Sequence, residues 1–116
     1  MARVLVVEDE ALVAMFIAEA VAAAGHATVG PYHAVDAALA ALEREPISAA
    51  LLDVNLGRNG LSYPVAADLV RRSVPFAFMT GYTRESIDPA FRAAHILRKP
   101  IAFHTLQAVI AALVAS

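Results

Sequence analysis

The chain has 116 residues, 59% of them hydrophobic, a net charge of −2 and no cysteine. That length holds one domain, expected over 1–116, and the apolar share suffices for a core without staples. The slightly acidic balance excludes a bulk electrostatic surface for nucleic acid or anionic membrane, while the absent thiols exclude disulfides, thiolate metal sites and cysteine nucleophiles and fit a cytoplasmic location.

Arg3 to Val7 (RVLVV) is a short β-branched apolar run, the pattern of a strand buried on both faces. The acidic triplet Glu8-Asp9-Glu10 follows, then a helical stretch from Ala11 to Ala24 that Gly25 stops. This stretch is interrupted by Glu19 and falls short of the ~20 apolar residues a bilayer crossing needs. Its acidic flank is also wrong for a secretory leader. Val13, Phe16, Ile17 and Ala20 form its expected inward stripe, flanked by Leu12 and Met15. An apolar girdle that wide exceeds what one sheet face covers. Deeper packing and a homodimer through this first helix both explain it, and the width favours the dimer.

His26 to Gly30 forms a second strand closed by Gly30-Pro31, and Ala34 to Glu45 a helix with Val35, Leu39 and Leu42 inward. Ser48 to Leu52 is a third buried strand that delivers Asp53 at its end, before the loop Gly57-Arg58-Asn59-Gly60. Ser62 is placed to cap a helix running to about Arg72, with Pro64 in its first turn and Arg71-Arg72 as a solvated end. Pro75 to Met79 is a fourth strand ending at Thr80. Tyr82 to Ala94 is helical in composition but broken by Asp88-Pro89, so a short or irregular fourth helix is expected there. His95 to Arg98 is a fifth strand, and Phe103 to Val114 a last helix with Leu106, Val109, Ile110 and Leu113 on one face. Strict alternation of strand and helix predicts an α/β fold: a flavodoxin-like (βα)5, doubly wound, parallel five-stranded sheet in the order 2-1-3-4-5.

Open α/β sheets bind ligands beyond the carboxyl ends of their strands. The residues closing the strands here are Glu8 and Asp9, Asp53, Thr80 and Lys99, and they converge on one edge; the second strand contributes none. Three adjacent carboxylates cannot all stay ionised without a cation, and a hard divalent ion with oxygen ligands, Mg²⁺, answers that. A carboxylate beside Mg²⁺ can take a phosphoryl group as an acyl phosphate, with a lysine ammonium and a hydroxyl neutralising its oxygens. His26, His33, His95 and His104 show no metal-like spacing and read as structural or surface groups.

The ordered set Val6-Val7-Glu8-Asp9-Glu10, Leu51-Leu52-Asp53, Thr80-Gly81 and Lys99-Pro100 resembles the CheY-like receiver domains of two-component response regulators along essentially the whole chain. The resemblance implies that Asp53 accepts phosphate from a sensor histidine kinase or a histidine phosphotransfer protein. It makes Asp9 a direct Mg²⁺ ligand, Glu8 an assistant through water, and the Asn55 backbone carbonyl a further ligand. It has Thr80 swing inward to the phosphoryl group and Lys99 pair with it, with a cis peptide at Lys99-Pro100. It implies a stand-alone, non-enzymatic signalling domain that catalyses its own phosphoryl transfer and dephosphorylation. Such a domain acts on a downstream protein by contact or serves as a phosphate sink, with no nucleic-acid or membrane partner.

Departures from the family pattern are specific. Ile96 stands where receivers usually carry a Tyr or Phe switch, and Gly57 where Pro is common. Phe78-Met79-Thr80-Gly81-Tyr82 partly matches FATGUY-type receivers, with Met79 and Thr83 breaking the motif, and Tyr82 is the candidate to take over the aromatic role. Tyr82 and Asn55 also lie where attacking water would approach, so they are candidates to tune the phosphoryl lifetime. A phosphohydrolase of the haloacid-dehalogenase type would need an Asp two residues past the nucleophile, where this chain has Asn55. A flavodoxin would need a Ser/Thr/Gly-rich phosphate loop after the first strand, which is absent.

Overall fold

A computed structural model describes residues 1–116. The strands are β1 (Arg3–Val7), β2 (Ala27–Tyr32), β3 (Ala49–Asp53), β4 (Phe76–Thr80) and β5 (His95–Arg98). The helices are α1 (Ala11–Ala23), α2 (Val35–Arg44), α3 (Tyr63–Arg71) and α4 (Phe103–Ala115). The five strands form one sheet in the order β2-β1-β3-β4-β5, and every pairing is parallel. This is the flavodoxin-like arrangement expected from strand–helix alternation.

Successive side chains of a strand point to opposite faces, so each central strand feeds two cores. Leu5, Val7, Leu52 and Phe78 pack with α2 and α3 on one face. Val4, Val6, Leu51 and Met79 pack with Ile17 and Val21 of α1 and with Leu106, Ile110 and Leu113 of α4 on the other. The whole of β3 is buried, as a central strand covered on both sides must be.

Between β4 and β5 the chain makes two short 3₁₀ turns, Arg84–Ser86 and Pro89–Phe91, in place of a fourth helix. Side chains brace the segment where helical bonds are missing. The Arg92 guanidinium donates to the Ile87 and Glu85 carbonyls (3.1 and 2.8 Å), Arg84 donates to those of Arg92 and Ala94, and the Asp88 amide donates to the Tyr63 hydroxyl at 2.9 Å. Ile87 and Phe91 pin it to the core, with Phe91 stacked on Tyr63. Tyr63→Phe keeps the stack and removes the acceptor. We expect it to cost about 1 kcal/mol and to speed amide hydrogen exchange at Asp88 selectively; exchange followed by NMR checks this.

Several expectations are corrected. β2 does not close at Gly30-Pro31 but runs on to Tyr32 with a register shift against β1, which an edge strand tolerates. Only glycine fits position 30: φ is +98°, and a Cβ there would stand 2.6 Å from the Tyr32 nitrogen. Both Gly30-Pro31 and Lys99-Pro100 are cis. Ser62 precedes α3 but does not cap it; its hydroxyl is buried and makes no hydrogen bond. Arg71 is the solvated end expected, although it pairs with Asp68, whereas Arg72 is half-buried and bonds Asp68 at 3.1 Å and Glu43 at 2.6 Å. On α1 the buried set is Ala14, Ile17, Ala20 and Val21, with Val13 and Phe16 only half-buried. Leu12 and Met15 are 81% and 60% exposed, so deeper packing does not account for them.

Candidate functional site

Because all five strands run the same way, their carboxyl ends share one edge. Glu8 and Asp9 lie just past β1, Asp53 closes β3, Thr80 closes β4, and Lys99 follows β5. One oxygen from each of Glu8, Asp9 and Asp53 lies within 4.8 Å of the others. Lys99 Nζ stands 2.8 Å from Glu8 Oε1 and 3.3 Å from Asp53 Oδ2, so one ammonium serves two carboxylates. Glu8 is fully buried, and its second oxygen accepts the Glu10 amide at 3.2 Å.

These contacts set the proton affinities. Burial first, then the hydrogen bond and charge of Glu8, push the Asp53 carboxyl up to about 7, while Lys99 pulls in the opposite direction. Burial alone would lower the Lys99 ammonium, but the hydrogen bond to Glu8 and the charges of Asp53 and Glu8 hold it above its ordinary value. The pocket is thus short of positive charge. Its donors are all hard oxygens, with no thiolate in the chain, and these residues suit Mg²⁺ chemically. Gly57 (φ +61°) keeps the mouth open: a Cβ there would come within 3.2 Å of Asp9 Oδ2.

The structure places the other candidates around this cluster. An open cavity of about 470 Å³ is bordered by Asp9, Asp53, Asn55, Gly57, Tyr82 and Lys99. Thr80 is buried; its hydroxyl accepts the Tyr82 amide at 3.0 Å, and its carbonyl accepts the Lys99 amide at 2.8 Å. The Thr80 O–H therefore remains available as a donor. Asn55 is exposed, its side-chain oxygen accepts the Gly57 amide, and its backbone bridges Leu61, folding the loop back beside the cluster. Tyr82 is 61% exposed and sits outside the core, at a groove shared with Val54, Leu61 and Tyr63. Ile96 packs half-buried against the α2–α3 core and borders no part of the acidic cavity. Pro100 is exposed.

His33, read from the sequence as a structural or surface group, is an exposed residue with a structural contact beside the site. It lies just past β2, the strand expected to contribute nothing, and its Nδ1 stands 2.8 Å from the Glu8 carbonyl. A carbonyl can only accept, so Nδ1 carries the proton. Asn59 in turn donates to the His33 carbonyl at 3.0 Å, tying the loop after β3 to the acidic turn. No sequence signal placed it there: Gly30-Pro31 reads as a stop, and it is the extension of β2 to Tyr32 that puts His33 level with Glu8.

No protein-family model and no curated protein matches the sequence. Solved structures do match. SdrG from Sphingomonas melonis Fr1 is 39% identical, covers 97% of this chain and 96% of its own, and superposes with a TM-score of 0.84. Its BeF3-activated conformation, given as from Pseudomonas melonis Fr1, is 38% identical over 97% and 95% of the two chains, with a TM-score of 0.79. The response regulator PhyR from Brucella abortus is 28% identical with a TM-score of 0.83; it covers 98% of this chain, which spans only 48% of PhyR. A likeness this close to SdrG over nearly all of both chains, on a 2-1-3-4-5 sheet whose strand ends gather the acidic cluster, lysine and threonine, establishes that the chain belongs to the receiver-domain family of response regulators.

Proposed function

We propose that residues 1–116 act as one phosphoacceptor domain of a two-component phosphorelay, with Asp53 as the acceptor. The carrying observation is the unequal placement of the three carboxylates. Glu8 is sealed in and tied to Lys99 and the Glu10 amide, and Asp9 has no lysine contact. Asp53 alone both borders the open cavity and touches Lys99.

In this reading an Asp53 oxygen attacks the phosphorus of a phosphohistidine carried by a histidine kinase or phosphotransfer protein. The P–N bond breaks and its electron pair leaves with the imidazole. Lys99 moves from the carboxylates to a phosphoryl oxygen, and the free Thr80 O–H donates to another. Asp9, Asp53 and the Asn55 carbonyl would hold Mg²⁺, with Glu8 assisting through water. Mg²⁺, when bound, neutralises charge on the transferred group. The pull on Thr80 loosens its bond to the Tyr82 amide, so the braced segment from Tyr82 to Ala94 is where a downstream protein reads the change. Tyr82 and Asn55 flank the approach of hydrolytic water and tune the lifetime of the phosphoryl group. The domain catalyses its own phosphorylation and dephosphorylation and is not an enzyme toward external esters, because Asn55 cannot act as the acid/base a phosphatase needs. A phosphate-sink role uses the same chemistry. No helix is long and apolar enough to cross a membrane, and we assign the domain to the cytoplasm with histidine-bearing and downstream proteins as partners.

Incubation with acetyl phosphate tests this reading. Wild type should gain a base-labile phosphoryl group in Mg²⁺ and none in EDTA, and Asp53→Asn should gain none in either. Labelling that persists in Asp53→Asn would remove the acceptor.

A further inference from the structure

The three carboxylates are not held alike. Glu8 is fixed by its own contacts, with Lys99 on one oxygen and the Glu10 amide on the other. Asp53 closes a fully buried strand and touches Lys99. The Asp9 side chain is half-buried past the end of β1 and makes no hydrogen bond or ion pair. Its aim is therefore set by the backbone that carries it. That backbone is gripped from β2. The Glu8 amide donates to the Tyr32 carbonyl at 2.9 Å, and the Glu8 carbonyl accepts from His33 Nδ1 at 2.8 Å. Peptide units are planar, so the bond to the Glu8 carbonyl also fixes the Asp9 nitrogen and Cα that share its plane. On its other side, the His33 carbonyl accepts from Asn59 Nδ2 at 3.0 Å. Asn59 belongs to the turn whose Gly57 faces Asp9 Oδ2, and the Gly57 amide in turn bonds the Asn55 side chain at 2.9 Å. One histidine thus joins, through its ring and its carbonyl, the two loops that carry Asp9 and Asn55.

We infer that His33 and Asn59 form a clasp that positions the Asp9 carboxylate for the divalent ion. This deepens the phosphoacceptor reading and rests on the metal site assigned there. His33 does not border the acidic cavity. It is a positioning residue, acting through the Glu8–Asp9 peptide rather than on the ion. Both clasp residues are exposed, and a hydrogen bond that replaces one to water adds little net stability. Their effect lies in geometry. A metal ligand without side-chain partners of its own is free to turn, and outer groups that restrict its orientation raise the affinity of the site. A simple loop staple would shift the melting temperature and leave the affinity for the ion as it was.

Mg²⁺ titration of the full chain, followed by amide chemical shifts, tests the inference, with circular dichroism confirming that each variant is folded. His33→Phe keeps a ring and loses the donor. It should weaken Mg²⁺ binding about tenfold, the low end for removing a group that orients a metal ligand. His33→Asn carries an amide N–H the same number of bonds from the backbone as Nδ1, and should bind within about twofold of wild type. Asn59→Ala cuts the outer link and should weaken binding about threefold. Phosphorylation of His33→Phe by acetyl phosphate should slow in parallel at low Mg²⁺, and raising Mg²⁺ should restore the rate. Unchanged affinity in His33→Phe overturns the inference and leaves the phosphoacceptor reading standing. So does a His33→Asn as weak as His33→Phe, or a rate deficit that persists at saturating Mg²⁺. A wild type that binds no Mg²⁺ defeats both.

Discussion

In metal-free buffer at pH 8, Asp53→Asn is expected to be more stable than the wild type by about 2 kcal/mol, or roughly 5–10 °C in Tm. The cause is the crowding of negative charge around a carboxylate that is almost wholly buried. The folded protein holds the Asp53 proton up to about pH 7, against an ordinary value of 3.8. Between those two values the folded state binds the proton more tightly than the unfolded chain, so stability falls as pH rises across the window. Above it the full cost of the charged form is present. Lys99 offsets part of that cost, which is why the expected difference is smaller than the full shift implies. The amide that replaces the carboxyl in the variant has no proton to lose, so its profile should be flatter, and the two proteins should converge near pH 4. Thermal melts from pH 4 to 8 in EDTA measure this. Added Mg²⁺ should reverse the order by stabilising the wild type far more than the variant. A wild type more stable than Asp53→Asn at pH 8 in EDTA would mean that the acidic cluster is not under electrostatic strain.

Lys99→Met has the opposite sign. It removes the ammonium 2.8 Å from a fully buried Glu8 and leaves that carboxylate without a counter-charge. Removing one partner of a buried ion pair costs about 3 kcal/mol or more. The folded Lys99 pKa is raised, so its stabilising contribution is complete at neutral pH and is lost only as pH rises through that raised value. The deficit of the variant should therefore hold through neutral pH and shrink below it, as Asp53 takes up its proton. Urea denaturation at pH 7 and pH 5 reads both effects. Combining Lys99→Met with Glu8→Gln should restore much of the loss, since the orphaned charge is then gone. Phosphorylation by acetyl phosphate should also slow by about 100-fold in the single variant, because one of the groups neutralising the phosphoryl oxygens is missing.

The fold and the members of the cluster were legible because each is written locally. A buried parallel strand is a continuous apolar run, and the first polar residue after it marks the edge where ligands bind; Glu8, Asp53 and Thr80 are such residues, and Lys99 follows Arg98 at the same edge. What escaped was set by contacts between distant segments. Gly30-Pro31 reads as a stop, yet an edge strand needs only one ladder of bonds, so β2 continues and carries His33 to the Glu8 carbonyl. Ser62 reads as a cap, yet whether its hydroxyl reaches an amide depends on a loop held by the Asn55–Leu61 bridge. On α1 apolar residues occupy every side, so periodicity could show that the helix was too apolar for one sheet face but not which side turned outward. The position of α4 decides that, burying Ile17 and Val21 and leaving Leu12 and Met15 in solvent.

If Asp53 supplies the oxygen that attacks phosphorus, the adduct itself must sit on its side chain. The direct test is tandem mass spectrometry of the protein after incubation with acetyl phosphate and Mg²⁺, under conditions that preserve acyl phosphates. A single adduct on the peptide containing Asp53, located to that side chain, is the expected result. An adduct on Asp9, Glu8 or a hydroxyl residue, with Asp53 unmodified, would contradict it.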